Sequence, residues 1–119
     1  MPVSTINYKN KRIVFIDYTD CKTKEEMIAT LREAAELFKA SPEKVLSLSD
    51  FTDAFGSKEF MDESKRLSVE VLRAKTEKAA LLGITGIKKV LLKGLNAFST
   101  NKLVPFDTKE EALEYLVSE

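Results

Sequence analysis

Three short runs of the buried-strand type, Ile13-Val14-Phe15-Ile16, Val45-Leu46-Ser47-Leu48 and Ala79-Ala80-Leu81-Leu82-Gly83-Ile84, are separated by segments whose apolar residues recur at helical spacing. Such strands have to be covered on both faces. A chain that alternates them with amphipathic helices therefore folds as helices packed on a largely parallel sheet, joined by right-handed crossovers.

The flanking elements complete the pattern. Val3 to Tyr8 and Arg12 to Tyr18 favour strands and are separated by Lys9-Asn10-Lys11, which predicts an antiparallel hairpin at the N-terminus. Thr23 with Glu26 forms a capping box opening a helix that runs to about Ala40, where Ser41-Pro42 stops it. A second helix is expected from Lys58 to Lys75 with Ser57 as its cap. Its buried face would carry Phe60, Ser64, Leu67 and Val71, with Met61, Ser68 and Leu72 alongside. Ile87, Val90, Leu91, Gly94, Leu95 and Phe98 form the apolar stripe of a third helix, which leaves Leu92 facing solvent. Leu103 to Phe106 is a short strand whose Pro105 belongs at a sheet edge, and Thr108 with Glu111 caps a last helix buried through Ala112, Leu113, Leu116 and Val117. The expected fold is α/β with a mixed, mostly parallel sheet and the element order ββαβαβαβα. All 119 residues are assigned to one domain.

Composition removes several functions. With no histidine, the chain lacks the usual general base and metal ligand, so a zinc enzyme or a triad hydrolase is not expected. Nineteen basic and nineteen acidic residues give zero net charge, which argues against nucleic acid as a partner. Cys21 stands alone and cannot form an intramolecular disulfide. Met1-Pro2-Val3-Ser4 has neither the basic nor the apolar part of a secretory signal, and the longest apolar run is too short to span a bilayer. A cytoplasmic protein without a membrane span is expected.

Particular residues resemble a known family. The strand and loop Val45-Leu46-Ser47-Leu48-Ser49-Asp50-Phe51, the strand Lys78-Ala79-Ala80-Leu81-Leu82-Gly83-Ile84, and the ending from Pro105-Phe106-Asp107-Thr108 through Ala112-Leu113-Glu114-Tyr115-Leu116 are similar to the small SpoIIAA-like proteins, which consist of one STAS/SEC14-like fold. The resemblance implies a non-catalytic binding or regulatory domain. In bacterial anti-sigma-factor antagonists of this fold, a serine in an Asp-Ser-Ser-Gly-like motif after the third strand is phosphorylated. The matching position here is Ser57, with Phe55 and Gly56 where that motif has its Asp and first Ser, and Lys58 where it has a small residue. SEC14-like relatives bind lipids.

Three constellations remain as candidate sites. The segment Ser49 to Ser57 has neither helical nor strand periodicity, and its Asp50, Phe51, Thr52, Asp53, Phe55, Gly56 and Ser57 form the expected loop for a protein partner or ligand. Asp17 and Asp20 would meet Asp50 and Asp53 at the same sheet edge, yet no nucleophile, positioned base or third metal ligand accompanies them, so neither catalysis nor a cofactor is expected. Phe51, Phe55, Phe60 and Met61, with Leu67 and Phe98, could line an apolar pocket between the second and third helices for a small lipid-like or anionic ligand. The third helix carries Lys88, Lys89 and Lys93 in a segment whose only acidic residue is Asp107. Its basic face could meet an acidic partner or an anionic membrane surface. Exposed sheet edges and helix faces also make a homodimer an expectation.

Overall fold

The computed structural model describes residues 2–97 and 103–118. β1 (Val3–Tyr8) and β2 (Lys11–Asp17) form the antiparallel hairpin, and Tyr8 faces Lys11 across a two-residue turn. Lys9 and Asn10 both have positive φ, 49° and 67°, the backbone of the tight turn that matches strand twist. α1 (Lys24–Ala40) starts at Thr23 with both capping-box hydrogen bonds in place. β3 (Val45–Asp50) is followed by α2, which runs through Lys58–Leu67, a π-helical turn at Ser68–Leu72 and a final turn at Arg73–Lys75. β4 (Thr76–Leu82), α3 (Ile87–Asn96), β5 (Leu103–Phe106) and α4 (Lys109–Val117) complete the described elements.

The sheet order is β1-β2-β3-β4-β5, parallel from β2 onward. Because each crossover steps in the same direction, crossovers of one hand place α1, α2 and α3 on one face. α4 returns over the other. The strands alternate accordingly. Val14, Ile16 and Tyr18 pack with Met27, Leu31, Ala34 and Phe38 of α1 and with Phe60, Leu67 and Val71 of α2. Ile13, Leu46, Leu48, Ala80 and Leu82 pack with Ala112, Leu113 and Leu116 of α4. Pro105 lies on the edge strand, where its missing N–H costs no ladder bond.

Several boundaries differ from the sequence reading. β3 takes in Ser49 and Asp50, which pair with Leu81 and Leu82 and so belong to the strand instead of the loop. β4 begins at Thr76 and ends at Leu82, because Gly83 has a φ of 77° that no strand continues. The π-turn in α2 was not expected; the Arg73 amide reaches back to the Ser68 carbonyl, five residues away. α3 is rotated from its expected setting. Leu92 is buried at 8% exposure, while Ile87 and Val90 are 61% and 67% exposed. Phe98 lies outside the described residues.

α1 and α2 are pinned to each other by Glu63, whose carboxylate accepts from Arg66 Nε at 2.8 Å and from Arg32 Nε at 2.6 Å. The Arg66 and then the Arg32 hydrogen bonds hold this carboxyl down at about 2, against an ordinary 4.5. A depressed folded-state value means that the ion pair stabilises fully above the unfolded value and is lost as pH falls from about 4.5 through about 2. Glu63→Gln is therefore expected to melt below the wild type at pH 7, with the two melting temperatures converging toward pH 2. A gap that stays constant with pH would show that the pair contributes nothing.

Candidate functional site

Small side chains meet where α2 crosses the sheet. β3 reads Val45-Leu46-Ser47-Leu48-Ser49, so its leucines face α4 and its serines face α2. β4 adds Ala79 on the same face, paired with Ser47. From above, α2 presents Ser64 and, four residues on at the start of the π-turn, Ser68. Ala79, Leu81 and Leu92 are buried yet belong to neither packed cluster. Between these surfaces lies a cavity of about 170 Å³, lined by Tyr18, Ser47, Ser49, Phe51, Phe60, Met61, Ser64, Ser68, Leu81, Lys88, Leu91 and Leu92 among others.

Its walls are mostly apolar but carry a row of hydroxyls. Ser47 is 5% exposed and Tyr18 is 2% exposed. Neither of these hydroxyls, nor those of Ser49, Ser64 and Ser68, has a hydrogen-bond partner among the described residues. Ser49, Ser64 and Ser68 are half-buried, and all five hydroxyls open onto the cavity, where water or a ligand can meet them. Burial pushes the Tyr18 phenol well above its ordinary value, which keeps it protonated and a donor. Its ring stacks on Phe51 with centroids 4.5 Å apart and meets Phe60 edge-on at 5.5 Å, forming an aromatic wall at one end.

The same end is closed by two loops held close together. The Phe51 amide donates to Leu82 O at 2.9 Å, and Lys88 Nζ donates to Phe51 O at 2.9 Å and to Gly83 O at 3.0 Å. This explains the rotation of α3. With two carbonyls soliciting its ammonium, Lys88 turns inward, Leu91 and Leu92 follow at i+3 and i+4, and Ile87 and Val90 are left outside. Gly83 permits the close approach, because a Cβ there would lie 2.3 Å from Thr52 N.

The expected loop thus divides. Phe51 and Gly56 line the cavity, as does Ala54 between them, but Asp50, Thr52, Asp53, Phe55 and Ser57 are not part of its lining. The structure corrects the aromatic-pocket reading on two points: Phe55 is 58% exposed, and Leu67 is buried in the α1–α2 core. Ser57 is the helix cap, its hydroxyl accepting from the Phe60 amide at 3.1 Å. Asp17 and Asp50 are brought side by side in register, but each carboxylate accepts from the amide and hydroxyl of the threonine two residues on, Thr19 and Thr52. Asp50 alternates onto the face away from the cavity. Asp53 sits at a φ of 60° in the turn closed by the Ala54 amide on Phe51 O. Of the basic helix face, Lys89 and Lys93 remain exposed, whereas Lys88 belongs to the cavity wall. Among the described residues no group of acidic or sulfur ligands could hold a metal, and no helix is long and apolar enough to cross a membrane.

The fold and this site define a small α/β protein with three helices bordering a half-open, hydroxyl-lined space over a five-stranded sheet. The fold is SpoIIAA-like. It is similar to the crystal structure of an uncharacterized DUF3478-family protein with a SpoIIAA-like fold from Shewanella loihica PV-4. The TM-score is 0.68 and the sequence identity 17%, covering 96% of this chain and 91% of that one. No family model and no curated protein matches the sequence.

Gly83→Ala is expected to cost roughly 1–3 kcal/mol, since the methyl meets backbone and the φ is unfavourable to L-residues. Chemical denaturation checks this; an unchanged midpoint would mean that the two loops are free to separate.

Proposed function

We propose that this protein works by binding, and that what it binds is a small, largely apolar molecule with polar edges held in the cavity between α2, α3 and the sheet. The observation that carries this reading is the row of hydroxyls, without protein partners among the described residues, that opens onto an otherwise apolar space. A cavity that existed only through imperfect packing would be expected to be small and apolar. A site built for a ligand has the opposite character: mostly apolar walls with a few placed polar groups. The reading is non-catalytic. Asp17 and Asp50, the paired carboxylates at the strand ends, are committed to their turns, and among the described residues the lining offers only hydroxyls and cations as polar side chains.

Native mass spectrometry of gently purified protein tests this against the same sample denatured. A small organic species that leaves on denaturation, and is missing from Ser64→Phe, is the expected result. The same occupancy in the variant would put any ligand elsewhere.

The exposure of Phe55 favours a second reading, in which the loop from Asp50 to Ser57 docks a protein, a second copy of this chain included. Its ring points outward between Ala54 and Gly56, which face the cavity. Sedimentation velocity of wild type against Phe55→Ser tests self-association. The reading expects concentration-dependent assembly that the variant loses, and a monomer in both would count against it.

A further inference from the structure

The charge on the cavity wall is one-sided. Its described lining includes Lys88 and Arg73 but neither Asp nor Glu. Arg73 is already engaged within the chain. Lys88 gives two of its three N–H donors to the Phe51 and Gly83 carbonyls and makes no ion pair among the described residues. Carbonyl oxygens solvate an ammonium without cancelling its charge. A positive charge beside a mostly apolar space therefore favours an anion within reach of its third donor.

Resting on the reading that the cavity binds a small molecule, the geometry points to a ligand class: a small organic acid with one carboxylate, which accepts from Lys88 Nζ while its hydrocarbon part lies against Phe51, Phe60 and Met61. Three observations set this class. The space is about 170 Å³, and a cavity of roughly 150 Å³ takes one benzene ring, so a single ring or a short chain fits and a two-chain lipid does not. One N–H donor remains on the Lys88 ammonium, and one carboxylate oxygen takes it. The Tyr18 and Ser47 hydroxyls, without partners among the described residues, supply neutral donors for the remaining carboxylate oxygen.

An amide NMR titration of the full chain with benzoate, and separately with benzyl alcohol, tests the class. Both compounds are expected to shift Ser47, Ser49 and Phe51, with benzoate binding roughly tenfold or more tightly, the scale of one charge-assisted hydrogen bond. Lys88→Met should remove the preference, so that benzoate and the alcohol bind the variant equally. Equal affinities in the wild type would overturn the acid class and leave the cavity reading standing, whether or not the variant folds. Failure of both compounds to shift these residues would overturn the two together. Equal weakening of both by Lys88→Met would show that Lys88 only clamps the loops.

Discussion

The one-way strand order constrains everything else. Stepping from β2 to β5 without reversal sends three consecutive crossover helices to a single face, while α4 alone covers the other. The two faces solve different packing problems. Under α4, leucines and isoleucines of β2, β3 and β4 interlock with Ala112, Leu113 and Leu116. Under the three crossovers, α1 and the first half of α2 build a dense core around Met27, Phe38 and Phe60, and the remaining space toward β4 and α3 is bordered by serines and alanines. Small residues on both sides of an interface leave volume that neither side fills.

That volume is defined by relatively few contacts. The π-turn widens α2 where Ser68 and Leu72 reach the cavity, and Lys88 draws α3 and the two loops together at the far end. π-turns inside α-helices are frequent at functional sites, and apolar pockets with a few placed polar groups are the usual form of ligand sites. Both features lie on one wall system. A ligand that hydrogen-bonds the hydroxyls would stabilise the folded chain by mass action.

Most of the architecture is legible in the sequence because its signals are local. The capping threonines, the Lys9-Asn10 turn, Pro105 at the edge and the two-sided apolar strands each follow from short-range chemistry, and the resulting SpoIIAA-like fold is the one that the residues resemble. The site was only half legible. Ser47 and Ser49 alternate with Leu46 and Leu48, and Ser64 and Ser68 stand four apart on the buried face of α2, so the polar row is visible in hindsight as two small-residue patterns. That they face each other is a tertiary fact. Lys88 was misread for a similar reason: a lysine in the first turn of an amphipathic helix looks solvated until two carbonyls from distant loops are seen beside it. The apolar stripe through Ile87 and Val90 gave way to that contact. The segment from Ser49 to Ser57 lacks periodicity in the sequence, but its Asp50, Thr52 and Ser57 are occupied in turn and capping bonds.

The most direct test of the central claim, that the space between α2 and the sheet is a built binding site, is a crystal structure determined under xenon pressure. The account predicts a xenon peak beside Phe60 and Leu81, with ordered density bridging the Ser47 and Tyr18 hydroxyls in the unpressurised crystal. An α2 collapsed onto β3, with Ser64 in van der Waals contact with Ser47 and no xenon between them, would contradict it.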